Sequence, residues 1–89
     1  MARYVASVDG RLGAFGIVVP DLPGCTSGGA TVGAALRNAT EAVTLWIEDA
    51  LTDGEKIPNP RSPEKLRDDP AVAAALAQGG ILTRVPFTR

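Results

Sequence analysis

Residues Val32 to Thr52 carry apolar side chains at the spacing of an amphipathic α-helix. Thr31 is suited to cap the start of this helix, and Gly54 supplies a stop just after its end. The predicted buried stripe consists of Val32, Leu36, Ala39, Val43, Trp46 and Ala50, widened by Ile47 and Leu51. Because such a helix buries one face against another layer, the rest of this 89-residue chain must provide that layer.

The segments before the helix have the patterns of β-strands. A strand is predicted from Arg3 to Val8, and Asp9-Gly10 after it predicts a hairpin turn. The next strand is predicted over Ala14 to Val19, whose apolar end indicates burial on both faces or a place at the centre of the sheet. A weaker third strand is predicted over Cys25 to Ala30. These segments predict a three-stranded antiparallel meander that the long helix covers.

The segments after the helix predict one more helix and one more strand. Ser62-Pro63 favours a short helical turn, and Asp69-Pro70 favours the start of a helix over Ala71 to Gln78. The last strand is predicted over Ile81 to Phe87, where Pro86 indicates an edge position or the strand end. The fold class is therefore α+β, a two-layer antiparallel β-β-β-α-(α)-β arrangement forming one domain over residues 1–89.

Histidine is absent from the sequence, and Cys25 is the one cysteine. Without histidine, neither a Ser-His-Asp nor a Cys-His nucleophile can be assembled, and a structural zinc site lacks its common ligands. A two-metal nuclease would need several carboxylates close together. The acidic candidates are spread over predicted turns and the polar helix face: Asp9, Asp21, Glu41, Glu48 and Asp49. We therefore expect solvated charges, no metal or other cofactor, and no enzymatic activity.

The charge balance and the N-terminus bear on partners and location. The net charge is −1, from 9 basic and 10 acidic residues, which argues against nonspecific binding to nucleic acid. The N-terminal residues lack the apolar run of a signal peptide, and no stretch approaches the roughly 18 apolar residues of a membrane span. A lone cysteine fits a reducing compartment. We expect a cytoplasmic protein that does not contact membranes.

A turn motif precedes the third predicted strand and provides the candidate partner-binding residues, which are Asp21, Leu22, Pro23, Gly24 and Cys25. Pro presets its backbone angle and Gly accepts a positive φ, so the pattern predicts a type II turn. The motif either contacts a partner or only shapes the chain, and the turn chemistry favours the second interpretation. Cys25 is interpreted as inert and partly buried because no basic residue lies nearby in the sequence. Trp46 is either an interface anchor or, as its place on the apolar stripe favours, a core residue.

The run from Phe15 to Thr31 resembles the HicB-like antitoxin family. Its apolar strand enters Pro-Asp-Leu-Pro-Gly-Cys, a glycine-containing strand follows, and threonine then caps a helix. The helix and its exit, Asp53 to Pro58, are similar as well, so that the resemblance covers residues 3–60, loosens over 61–78 and returns at 81–87. It implies a partial ribonuclease-H-like fold. It also implies a protein that neutralises HicA, a small toxin ribonuclease, by binding it directly.

Many members of the family carry a C-terminal DNA-binding segment, whereas this sequence stops two residues after Phe87. DNA binding by this chain alone is therefore not expected. Two alternatives stay open: an orphan HicB-like domain that serves another protein or a small molecule, and a metal-dependent nuclease. A homo-oligomer is expected because Ala14 to Val19 carries no charge and Ile81 to Phe87 only Arg84, which leaves possible sheet edges thinly protected.

Overall fold

The computed structural model describes residues 2–87 of the chain, and of Ala2 and Phe87 only the backbone. The elements follow the predicted order of three strands, a long helix, short helical segments and a last strand. They are β1 (Ala2–Arg11), β2 (Ala14–Val18), β3 (Thr26–Gly29), α1 (Val32–Thr52), α2 (Pro63–Arg67), α3 (Pro70–Ala77) and β4 (Ile81–Phe87). The α+β class and the antiparallel arrangement predicted from the sequence are confirmed.

The four strands form one antiparallel sheet in the order β3-β2-β1-β4. β1 lies at its centre, pairing Val8 with Ile17 of β2 on one side and with Ile81 of β4 on the other. β4 lies at an edge, as Pro86 indicated. β2 is an inner strand, so the concern that Ala14 to Val19 forms an unprotected edge was wrong; β3 is the second edge.

The helix α1 covers one face of the sheet. Thr31 caps it as predicted, its hydroxyl accepting a hydrogen bond from the Ala34 N–H at 3.1 Å. The buried stripe of α1 differs from the predicted one. Val32 and Leu51, which were predicted to belong to it, are exposed. Small side chains let the helix lie close to β3, and the larger Leu36 and Trp46 are only partly buried. The buried residues of α1 are Ala35, Ala39, Val43, Ile47 and Ala50.

The short helices α2 and α3 lie against the opposite face of the sheet. Leu66 of α2 and Val72 of α3 form a small core with Val5, which points away from α1. Ser62 and Asp69 cap the two helices, as their positions before proline indicated. The central strand β1 is consequently covered on both faces, with Tyr4, Ala6 and Val8 in the larger core beneath α1.

The predicted turn of the first hairpin was wrong. Asp9-Gly10 does not form the turn, because Gly10 adopts its positive φ within β1 and the chain reverses at Leu12-Gly13. A β-carbon on Gly10 would lie 2.2 Å from the Ala14 carbonyl oxygen, which explains why glycine stands there. For the apolar end of β2, the second of the two predicted alternatives holds: β2 is an inner strand of the sheet, while Val18 points away from α1 and is 47% exposed.

Candidate partner-binding surface

Two successive backbone turns connect β2 to β3. The Leu22 N–H donates to the Val19 carbonyl at 3.1 Å, and the Cys25 N–H donates to the Leu22 carbonyl at 2.9 Å. Gly24 has a φ of 81°, as the third position of a type II turn requires. The Val19 N–H also donates to the Cys25 carbonyl at 3.0 Å, which closes the base of the segment. The connection is thus held by its own backbone.

The five candidate residues of this turn divide into buried and exposed members. Leu22 and Cys25 belong to the core beneath α1, and Asp21 is also buried. Burial raises the pKa of the Cys25 thiol, which keeps it protonated and unreactive, in agreement with its sequence interpretation. Only Pro23 and Gly24 of the five are exposed to solvent. Any partner that touches this turn would therefore touch it at Pro23 and Gly24.

Asp21 is engaged within the fold by Arg61, which the sequence did not single out. One carboxylate oxygen accepts the Arg61 backbone N–H at 2.7 Å, and the other accepts its Nε–H at 2.5 Å. This hydrogen bond raises the pKa of the Arg61 guanidinium. Arg61 also lies 3.5 Å from the carboxylate of Asp69, the cap of α3. The three side chains fasten the β2–β3 connection to the segment before α2 and to the start of α3.

Tyr4 adds a further link to the same segment. Its hydroxyl donates to the Pro58 carbonyl at 2.5 Å, although its ring lies in the main core. Burial, and secondarily the Asp21 carboxylate, raise the pKa of this phenol. The proline-rich stretch between α1 and α2 is thus held at both Pro58 and Arg61.

Trp46 connects the exposed part of the turn to α1. Its indole N–H donates to the Pro23 carbonyl at 2.9 Å, while its ring packs partly against the core. Trp46 is therefore only partly buried in the core, and its indole is held in place by the hydrogen bond to Pro23. Leu45 and Asp49 lie on the neighbouring outer side of the helix, because residues spaced by three or four positions share a side. We call Pro23, Gly24, Leu45, Trp46 and Asp49 the turn–helix surface.

The turn–helix surface combines exposed apolar area with negative charge. Its Leu45 side chain is 57% exposed. Residues 38–55, which run through α1 and its exit, contain no lysine or arginine. They do contain five acidic side chains, all exposed: Glu41, Glu48, Asp49, Asp53 and Glu55. Asp49 is the one charged residue of the turn–helix surface and lies within this acidic stretch, so the surface suits a positively charged protein partner better than an anionic one.

The family model for HicB-like antitoxins of bacterial toxin–antitoxin systems matches residues 4–79. The chain belongs to the HicB-like antitoxin family. The matched range contains the turn, α1, Arg61 and α3, so both the turn–helix surface and the links that position it lie within the family's domain.

Solved HicB structures share the whole fold. The chain aligns with a chain of the "HicA3 and HicB3 toxin-antitoxin complex" at 30% identity and a TM-score of 0.77, covering 98% of this chain and 99% of that one. The N-terminal domain of Burkholderia pseudomallei antitoxin HicB aligns at 26% identity and a TM-score of 0.76, covering 98% and 99%. The longer B. pseudomallei HicB structure is covered over 63% of its length.

A phage protein is also similar in sequence. An uncharacterised 14.9 kDa protein from the rep-hol intergenic region of Haemophilus phage HP1 is 41% identical over 54 residues. That alignment covers 61% of this chain and 41% of the phage protein.

Other candidate sites in this HicB-like domain are poorly formed. An open pocket of about 280 Å³ lies between the sheet and α3, beside Ser7, Asp9 and Val18, and a still more open one of about 490 Å³ lies beside Asp9, Arg11 and Gln78. Among residues 2–87, no three His, Cys, Asp or Glu side chains are placed to hold a metal ion. No helix in that same range is long and apolar enough to cross a membrane.

Proposed function

We propose that this HicB-like domain neutralises a HicA-type toxin ribonuclease in the cytoplasm by binding it directly. The observation that carries the proposal is the match, along nearly the full length of both chains, to a chain of a complex named for HicA3 and HicB3, together with the match to the HicB-like antitoxin family. A protein that binds and cuts RNA must present positive charge to the phosphate backbone. An antitoxin that covers such a surface needs complementary negative charge.

The turn–helix surface supplies that complementarity. Asp49 lies beside the exposed Leu45, within a stretch of chain that has acidic but no basic residues. Leu45 would be buried at the centre of the contact, and the carboxylates would form its rim. Of the turn motif, Pro23 and Gly24 would contribute backbone and ring contacts, whereas Asp21, Leu22 and Cys25 would hold them in place from beneath.

The experiment is a titration of the purified chain with the HicA-type protein encoded beside its gene, followed by isothermal calorimetry. We expect a stoichiometric complex that Leu45→Arg weakens at least tenfold, because a cation replaces the apolar centre opposite a basic surface. The matched control is Leu12→Arg on the hairpin tip, where a leucine that is even more exposed than Leu45 lies outside the turn–helix surface. Equal losses from both variants would refute the location, and no binding by the unaltered chain would refute the function.

The absence of such a toxin gene would favour the orphan alternative, in which the same surface serves another protein.

Nuclease activity by the chain itself is not part of the proposal. Asp21 already accepts two hydrogen bonds from Arg61, and Asp9 lies across the sheet from α1. Magnesium-dependent cleavage of RNA that vanished in Asp9→Ala or Glu48→Ala would revive the nuclease alternative.

DNA binding by this chain alone is also outside the proposal. With a net charge of −1 and an acidic α1 surface, few phosphates could be neutralised at once. We expect no shift of its own promoter DNA at physiological salt. A sub-micromolar, sequence-dependent shift would show that a basic surface has been overlooked.

A further inference from the structure

We propose that the pocket between the sheet and α3 binds one arginine side chain of a partner protein, with the guanidinium at Asp9 and Ser7. The pocket has a volume of about 280 Å³. It lies on the face of the sheet opposite α1, since the residues beneath α1 are the alternate ones Tyr4, Ala6 and Val8. The site is thus separate from the turn–helix surface, and the inference does not rest on toxin binding.

The Ser7 hydroxyl is a polar group at the floor of this pocket. Ser7 is only 7% exposed and lies between Val18 of β2 and Leu82 of β4. Among residues 2–87 its side chain has no hydrogen-bond partner, and because no fully buried side-chain oxygen of that range lacks one, the hydroxyl oxygen must reach the pocket. Buried hydroxyls in proteins nearly always have a partner. This one is therefore placed to bond to a group that enters the pocket.

Asp9 supplies a carboxylate beside that hydroxyl. It lies two residues further along β1 on the same face, opposite Gly16 of β2. A β-carbon on Gly16 would lie 3.3 Å from the Asp9 Oδ1, so the missing side chain leaves room for the carboxylate. No lysine or arginine lines the pocket, and Asp9 forms no ion pair among residues 2–87, not even with Arg11. A cation that enters the pocket would therefore meet an unpaired carboxylate.

The remaining walls suit the aliphatic stem of a long side chain. Val18, which is 47% exposed, lines one side, and Ala71 and Ala75, one turn apart on α3, line the other. Asp69 adds a second carboxylate at the start of α3, although Arg61 and the Ala71 N–H already contact it. The pocket is too small and open to enclose a free small molecule. A docked protein, however, would cover it while inserting one side chain.

Arginine matches this combination of groups better than lysine. Its guanidinium carries several N–H donors in a planar fork, so it can donate to the Asp9 carboxylate and to the Ser7 hydroxyl at the same time. It is also less strongly hydrated than an ammonium group, which favours a half-enclosed and mostly apolar pocket. Its stem would pack against Val18 and α3. The partner is therefore a protein segment with an exposed arginine, and not a nucleic acid, whose phosphates Asp9 would repel.

NMR titration of the isotope-labelled full chain tests the site with two blocked tripeptides, Ala-Arg-Ala and its citrulline counterpart. The arginine peptide should shift the backbone amide signals of Ser7, Asp9 and Ala71 in a saturable way. The citrulline peptide keeps the shape of arginine but lacks its charge, and should bind about tenfold more weakly. Asp9→Asn should weaken the arginine peptide similarly, whereas Asp49→Asn on the α1 side should not. Equal binding of the two peptides, full binding by Asp9→Asn, or no shifts at these residues would overturn the proposal.

Further variants separate binding from folding. Ser7→Ala should weaken the arginine peptide while thermal stability stays the same or rises, because the hydroxyl has no partner in the fold to lose. Ala71→Leu should fill the pocket and block the peptide, whereas Ala74→Leu, on the same helix but outside the pocket, should not. A Ser7→Ala protein that loses stability but binds normally would overturn the role of the hydroxyl. Equal binding by the two leucine variants would overturn the location.

Discussion

The carboxylate of Asp21 accepts two hydrogen bonds from Arg61, a residue 40 positions further along the chain. The Asp21 side chain is 4% exposed and the Arg61 side chain 39%. One short turn before β3 is thereby joined to the loop that follows α1, and through Asp69 to the first turn of α3. The turn that carries Pro23 and Gly24 is held by its own backbone hydrogen bonds, and this link ties it to the segment before α2.

Replacing Asp21 with alanine should lower the free energy of unfolding by about 1–3 kcal/mol, because the partly buried backbone N–H of Arg61 loses its acceptor. The half-exposed guanidinium can turn to water, which keeps the loss below that of a fully buried pair. Urea denaturation measures it, with Asp49→Ala on the exposed face of α1 as the control, expected within about 0.5 kcal/mol of the unaltered protein. Equal stability of the two variants would contradict a structural role for Asp21.

Glycine-to-alanine substitutions at Gly29 and Gly33 should have opposite signs. A β-carbon on Gly29 would lie 2.6 Å from the Ala35 nitrogen and 2.9 Å from the Ala34 carbonyl carbon, so α1 would have to move. We expect a loss of about 1–3 kcal/mol. Gly33 lies in the first turn of α1 with space around it, and alanine there should gain up to about 1 kcal/mol. Thermal unfolding of both variants compares them; an unchanged Gly29→Ala protein would show that α1 does not lie this close to β3.

Stability should fall at alkaline pH because burial raises the pKa of Cys25. The folded state favours the neutral thiol, so this contribution is complete below the ordinary thiol pKa of about 8.5 and is lost as pH rises through the raised value. Cys25→Ala should flatten the decline of the urea midpoint between neutral pH and about pH 9.5. Tyr4, whose pKa is also raised, should act only at still higher pH. An identical pH dependence with and without Cys25 would contradict this account.

Much of the fold could be predicted because its signals are local. Thr31, Asp69 and Pro70 mark helix starts by their own chemistry, and Pro86 marks an edge strand wherever the strand lies. The family resemblance and the element order were accessible for the same reason. Gly10 misled the prediction, because a glycine with positive φ suits a strand distortion as well as a turn.

The features that could not be predicted depend on contacts between distant segments. Nothing near Arg61 in the sequence indicates that its partner is Asp21. The exposure of Val18 follows from the face of the sheet that α1 happens to cover. The centre of the α1 stripe depends on how closely the helix approaches β3 at Gly29, which the apolar periodicity does not specify. The two parts of the turn–helix surface, the turn and the helix, are likewise distant in the sequence and are joined by the bond from Trp46 to Pro23.

The inhibition of toxin activity tests the central claim most directly. The measurement is RNA cleavage by the HicA-type protein encoded beside this gene, followed while the chain is added in increasing amounts. We expect cleavage to stop near one chain per toxin molecule, with Leu12→Arg inhibiting normally and Leu45→Arg requiring at least tenfold more protein. Undiminished cleavage at a large excess of the folded, unaltered chain would contradict the proposal that it neutralises this toxin by direct binding.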